Sequence, residues 1–159
     1  MKHDVYLKRL TPQELGYRRK RLMTGQYFYI SKTAIGSFFE ELSRDVINDF
    51  LSLEFNDPLE EGNIITASYV YHNDKFSRPN GTRNEYRIYL NRDIAKHDLH
   101  FQPNDIVAFI KTGDNNYCLD HHRIRNDKYR ELSEIIDNSK VRGAHALIDL
   151  ETYKRVNEK

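Results

Sequence analysis

Apolar and polar positions along this chain alternate with the period of a strand in several short stretches and with the period of a helix in two. Val5, Tyr6 and Leu7, running into Lys8 and Arg9, predict a first strand between Asp4 and Leu10. The aromatic run Gln26-Tyr27-Phe28-Tyr29-Ile30 predicts a second, and Ile64 to Tyr71 is the clearest of all, rich in β-branched and aromatic residues. Asn80-Gly81 is a turn dipeptide leading into a further strand, Thr82 to Tyr89. Asp105 to Ile110 and Tyr117 to Asp120 form a hairpin about the turn Thr112-Gly113-Asp114-Asn115-Asn116. Helical spacing occurs at Ile35, Phe38, Phe39 and Leu42, behind Ser31 as N-cap, and again at Tyr129, Leu132, Ile135 and Ile136. The stretch Asp45 to Phe55 suits either a strand or a short helix, and Asn91 to Phe101 a short helix or loop.

About six strands, a few short helices and no regular strand and helix alternation predict a mainly β fold, a mostly antiparallel barrel or partly open barrel. They exclude a doubly wound parallel sheet. The barrel is expected over residues 1–138, with 139–159 a linker or the start of a following segment.

Composition narrows this only slightly. The 159 residues suit one domain, and 38% hydrophobic with 31% charged residues excludes a mostly disordered chain. A single cysteine, Cys118, excludes an internal disulfide framework and a zinc site built on thiolates. The chain opens without an apolar signal segment and contains no stretch of membrane-spanning length, which makes a cytoplasmic location the expectation. A net charge of +1 conceals a segregation: Arg18-Arg19-Lys20-Arg21 is a basic run, whereas Glu40 to Glu61 is acidic. The basic run fits an arm on DNA or a solvated loop.

The stretch with the most chemistry is Gly81-Thr82-Arg83-Asn84-Glu85-Tyr86-Arg87-Ile88-Tyr89. In strand geometry it puts Arg83, Glu85 and Arg87 on one face and Asn84, Tyr86 and Ile88 on the other. Arg donates in a fork to guanine O6 and N7, and Glu accepts from the amino group of cytosine, so this row suits base reading in the major groove. It also suits a solvated strand carrying cross-strand ion pairs.

Catalytic signals are sparse. A restriction-type nuclease core needs a Glu-x-Lys strand, and none occurs. Asp120-His121-His122-Arg123 is similar to the start of a metal-dependent nuclease finger, which leaves a self-contained nuclease as an alternative; Asn126 follows, but no His until His145. A single-strand binding module stacking bases on Tyr and Phe is another. The histidines are scattered, there is no glycine-rich phosphate loop, and neither metal nor cofactor is expected.

Two motifs in order, Val5-Tyr6-Leu7-Lys8-Arg9-Leu10-Thr11 and Thr82-Arg83-Asn84-Glu85-Tyr86-Arg87-Ile88, with the aliphatic run Asp105 to Ile110, resemble the N-terminal effector domain of EcoRII-like restriction endonucleases. That family is similar in fold to the BfiI DNA-binding domain and the DNA-binding pseudobarrel of plant transcription factors. The resemblance, from about Val5 to Leu119, implies a pseudobarrel of six to seven strands whose two arms grip the major groove of double-stranded DNA. It implies an N-terminal arm from Lys8 and Arg9 through Arg18, Arg19, Lys20 and Arg21 to Thr24 and Gln26. A C-terminal arm runs from Arg78 and Asn80 through Thr82, Arg83, Asn84, Glu85 and Tyr86 to Arg87. It further implies a C·G-rich target such as CC(A/T)GG, binding without chemistry in this chain, and a nuclease domain elsewhere in the parent protein. Gly81 and Tyr86 depart from the family pattern, which has Lys at both places.

Overall fold

The computed structural model describes residues 4–15, 17–18, 21–22, 27–57, 61–89, 101–139 and 143–158. The strands are β1 (Val5–Arg9), β2 (Tyr17–Arg18), β3 (Arg21–Leu22), β4 (Tyr27–Ile30), β5 (Phe50–Asn56), β6 (Ile64–His72), β7 (Glu85–Tyr89), β8 (Ile106–Gly113), β9 (Asn116–His122) and β10 (His145–Ile148). Two helices, α1 (Tyr129–Asp137) and α2 (Leu150–Asn157), flank β10 in the chain. Eight strands form one sheet in the order β10-β1-β8-β9-β5-β6-β7-β4, and β2 and β3 form a separate ladder. Every pairing in the large sheet is antiparallel except β5 with β9.

The sheet curls until its two ends meet. β1 and β4 stand far apart in strand order, yet the Tyr6 hydroxyl accepts from the Ser31 N–H at 3.1 Å. The Tyr27 and Tyr29 N–H groups donate to the Glu14 carbonyl at 3.0 Å and to the Glu14 carboxylate at 2.7 Å. Edge-strand donors left open would invite another strand. Here the Tyr6 hydroxyl of β1 and the Glu14 carbonyl and carboxylate of the turn after it occupy them, which makes a half-barrel of an open sheet.

Two cores follow from the curl. Inside lies an aromatic cluster containing Tyr6, Phe28, Phe38, Phe39, Phe55, Tyr69, Phe109 and Tyr117. Outside, Val5, Leu7, Ile106 and Ala108 are covered by Leu132 and Ile136 of α1 and by Tyr153 and Val156 of α2. β1 and β8 are thus buried on both faces, which explains their continuous apolar runs, whereas β5 and β6 alternate buried with exposed residues. Each helix side chain such as Leu132 contributes about 1.5–3 kcal/mol by burial. Asp149 caps α2 by accepting from the Thr152 N–H at 2.7 Å.

Several expectations are corrected. The sheet has eight strands rather than six or seven; the additions are β5, from the stretch that suited either element, and β10. No helix runs from Ser31 to Leu42. Ser31 does cap a short 3-10 turn, Lys32–Ala34, but Gly36 then takes a φ of +87°, a conformation that ends a right-handed helix. Phe38, Phe39 and Leu42 reach the core from an irregular segment instead. β7 begins at Glu85, so Arg83 precedes the strand. Residues 139–159, expected as a linker or a new segment, carry β10, paired with β1 from Val5↔Ile148 to Lys8↔His145, and α2. The open side of β1 is where four residues as short as His-Ala-Leu-Ile find a partner. Residues 91–100 lie outside the described residues. Among the described residues no helix is long and apolar enough to cross a membrane.

Candidate nucleic-acid interface

Where the two ends of the sheet meet, a cleft of about 720 Å³ opens between β1 and β10 on one wall and β4 and β7 on the other. Thr11 and Glu14 shape its edge as a reciprocal cap: the Thr11 N–H donates to Glu14 Oε1 at 3.1 Å, and the Glu14 N–H donates to Thr11 Oγ1 at 3.3 Å. The other carboxylate oxygen accepts from Lys8 Nζ at 2.9 Å, with both side chains almost wholly buried. Burial holds the Lys8 ammonium below its ordinary range, and the Glu14 charge opposes that shift. Lys8 therefore faces the cleft with its charge already matched. His145, opposite Lys8 in the β1–β10 register, is pushed down by burial and then by the Lys8 charge.

Arg9 points the other way. Its guanidinium donates to Ser133 Oγ at 2.6 Å and to Asp137 at 3.0 Å, tying β1 to α1.

On the opposite wall, the alternation expected for the strand from Thr82 to Tyr89 is present over β7. Tyr86 and Ile88 are buried inside, Tyr86 stacking on Tyr71 with ring centroids 4.2 Å apart, while Glu85 and Arg87 share the outer face. Arg87 and Glu85 are hydrogen bonded, and the guanidinium lies over the Tyr27 ring, 4.0 Å from its centroid. Burial pulls the Arg87 pKa down, but Tyr89 and the Glu85 charge outweigh it and raise the net value. Tyr29, 39% exposed, stands directly opposite Arg87 on β4, and its hydroxyl is raised by burial and then by the Glu85 charge. The Nε atom of Arg87 and the Nε2 atom of His145, both on residues lining this cleft, have no hydrogen-bond partner among the described residues.

The loop before β7 is built on Asp74. Its carboxylate accepts from the Arg83 N–H at 2.7 Å and from Arg83 Nε at 3.3 Å, which holds its pKa below the usual carboxylate range, the backbone hydrogen bond being the main cause. A Cβ on Gly81 would sit 1.9 Å from the Asp74 carbonyl oxygen, so this backbone approach requires glycine. Arg78, Asn80 and Thr82 are exposed on the same loop. Asn84 accepts from the Tyr71 hydroxyl at 2.6 Å. Arg18 is paired with Arg21 in the β2–β3 backbone register; Arg19, Lys20, Thr24 and Gln26 lie outside the described residues.

The structure thus gathers Glu85 and Arg87 with Tyr27, Tyr29, Glu14 and His145, four residues that sequence reasoning missed. The Thr-x-x-Glu spacing of Thr11 and Glu14 was the readable signal for one of them; the others depend on long-range pairing. Asp120, His121 and His122 do not converge. Tyr153 donates to Asp120 at 2.6 Å and meets His122 Nε2 at 2.8 Å, whereas His121 turns to Asp105 at 2.6 Å. Consecutive strand residues point to opposite faces, and among the described residues no three His, Cys, Asp or Glu side chains form a metal site.

The fold and cleft define a curled, mainly β half-barrel flanked, among the described residues, by two helices. It is similar in structure to the N-terminal domain of Helicobacter pylori LlaJI.R1, with a TM-score of 0.58 and 16% identity over 91% of this chain and 97% of that domain. No protein family pattern and no curated protein sequence matches the chain.

Proposed function

We propose that the protein binds double-stranded DNA sequence-specifically in the major groove, as the cytoplasmic recognition or effector part of a type II restriction endonuclease. The nuclease domain belongs elsewhere in the parent protein, and this chain binds without chemistry. The observation that carries the reading is the Glu85–Arg87 pair on the outer face of β7, its guanidinium lying over Tyr27 at the lip of the cleft. A carboxylate for the cytosine amino group beside a guanidinium for guanine O6 and N7 is chemistry matched to a C·G step, with each good contact giving about 1–3 kcal/mol of discrimination. That agrees with the C·G-rich target, such as CC(A/T)GG, implied by the resemblance to EcoRII-like effector domains. The likeness to the LlaJI.R1 domain supports the reading at the level of fold.

In this reading Arg78, Asn80, Thr82 and Arg83 form one arm and the segment from Arg18 to Gln26 the other, chiefly holding phosphates. Lys8 and Arg9 brace the base of the second arm through Glu14 and α1. Tyr86 supports the reading strand from within, and Asn84, just before it, is fixed by the Tyr71 hydroxyl.

Gel-shift selection from random duplexes tests this, with single-stranded competitors alongside. The expected result is an enriched C·G-containing site that outcompetes single strands, with base preference relaxed by Glu85→Ala. Changing Arg19 and Lys20 should instead weaken all sequences alike and flatten the salt dependence. Selection without a preferred sequence, or single strands that win the competition, would overturn the proposal.

A further inference from the structure

At the end of the barrel from which the Asp74–Arg83 loop projects, a second, smaller cavity of about 250 Å³ is lined by Lys32, Arg44, Asn84 and Glu41 above the rings of Tyr71 and Tyr86. Its parts come from three separate segments: the 3-10 turn after β4, the irregular segment before β5, and the residue just before β7. Neither Lys32 nor Arg44 has an ion-pair partner among the described residues. Lys8, Arg9, Arg83 and Arg87 all do. Among the residues lining the cavity, two cations stand against the single carboxylate of Glu41, a surplus of one that a bound anion would relieve.

Two of the three donors, Arg44 and Asn84, are held in place. The Arg44 guanidinium lies over the Phe76 ring, 4.6 Å from its centroid, on the loop that Asp74 organises. The Asn84 carbonyl oxygen is taken by the Tyr71 hydroxyl at 2.6 Å, which fixes the amide plane and leaves its NH₂ group as the donor for a ligand. Buried Asn73 anchors the segment carrying Arg44: its amide donates to the Ser43 and Val46 carbonyls at 2.9 and 2.7 Å, and its oxygen accepts from the Asn48 N–H at 3.0 Å. An exposed ammonium beside a positioned guanidinium and a positioned amide NH₂ on one small cavity is a donor set for a tetrahedral oxyanion.

We propose that Lys32, Arg44 and Asn84 form a phosphate seat that takes one phosphodiester of the duplex next to the stretch that reads it. The seat deepens the DNA-binding reading above and rests on it for the identity of the ligand. Asn84 immediately precedes Glu85, so a phosphate held there sets the register of the Glu85–Arg87 pair along the groove.

The test has two arms that separate the sources of phosphate. In the first, duplex affinity is measured against salt for the wild type and for Lys32→Gln/Arg44→Gln. The double variant is expected to bind selected and random duplexes more weakly by the same factor, with the log–log salt slope reduced by about 1. In the second, inorganic phosphate is titrated into the protein while the Asn84 side-chain amide resonances are followed by NMR. Saturable shifts in the wild type, lost in Arg44→Gln, support the seat. A duplex that binds the double variant with unchanged slope, while Arg87→Ala still loses base preference, overturns the seat and leaves base reading intact. Saturable phosphate shifts with no duplex binding at all would keep an anion site and overturn its assignment to DNA.

Discussion

The two walls of the large cleft carry the same kinds of cation and use them differently. On the β1 wall, Lys8 is sunk against Glu14 with both side chains almost wholly buried, while Arg9 reaches across to Ser133 and the largely exposed carboxylate of Asp137 on α1, so it is Lys8 that is committed to holding the fold together. On the β7 wall, Arg87 is bonded to Glu85 on the same strand and Arg83 to Asp74 in the preceding loop, each with its carboxylate only partly buried. A short-range pair near the surface exchanges its partner for a base or phosphate at small cost; a buried one does not. A cation's value to a polyanion therefore depends on what would be left unpaired when it turns away.

The sharpest way to break this comparison is to remove Glu14. Its carboxylate serves Lys8, the Thr11 N–H and hydroxyl, and the Tyr29 N–H. Glu14→Ala strands a buried ammonium and opens the seam between β1 and β4. A loss of about 3–5 kcal/mol is expected from breaking a buried pair, measured by urea denaturation. Lys8→Met, which leaves Glu14 three donors, should cost less. If instead Lys8→Met left stability intact and weakened DNA binding, the two walls would be equivalent and the comparison would fail.

The reading wall should show the opposite balance. Arg87→Ala removes a guanidinium that is partly exposed and stacked on Tyr27, and is expected to change stability by about 1 kcal/mol. Discrimination at one base pair should fall by about 1–3 kcal/mol, read as the ratio of affinities for matched and mismatched duplexes. Gly81→Ala probes the loop without touching a charge. A methyl 1.9 Å from the Asp74 carbonyl forces that backbone apart, so Arg83 loses its anchor and affinity for all duplexes should drop severalfold. Unaltered affinity would mean that the loop plays no part in binding.

Legibility followed the range of the interactions involved. β1, β4, β6, the β8–β9 hairpin and α1 were readable, because each carries its own period or turn residues: Val5 to Leu7, Tyr27 to Ile30, Tyr129 with Leu132 and Ile136. The helix expected from Ser31 failed on one residue, Gly36, whose positive φ no hydrophobic spacing reveals. β10 was missed because His145 to Ile148 becomes a strand only against the open side of β1. The alternation of Glu85 and Arg87 against Tyr86 and Ile88 was correct, since a strand's period is local. The partners of Lys8 and Arg9 were invisible for the opposite reason. Glu14 lies close in sequence but acts through a folded turn, and Asp137 is brought to Arg9 only by α1 packing on β1.

The smallest expected effect concerns the histidine beside the reading wall. His72 bridges Asn48 at 3.2 Å and the Tyr89 hydroxyl at 2.7 Å. Burial lowers its pKa below the ordinary 6.5, the charges of Arg83 and Arg87 lower it further, and Glu85 and Asp74 partly compensate. In the free protein the sign is fixed: the unfolded chain takes up the proton more readily, so stability is complete above about pH 6.5 and declines as the pH falls below it. His145 and His122, also depressed chiefly by burial, add to the same decline. A bound duplex, a polyanion held against Arg83 and Arg87, would offset the cationic part of the shift, raising the His72 pKa in the complex and making binding take up protons. Duplex affinity should therefore rise modestly, by less than about tenfold, between pH 7.5 and 6, while the melting temperature of the free protein falls. His72→Gln, which retains a hydrogen-bonding side chain, should flatten the affinity profile. An affinity that falls with the melting temperature, or a profile unchanged in the variant, would separate His72 from the reading wall and leave it a purely structural bridge between β6 and β7.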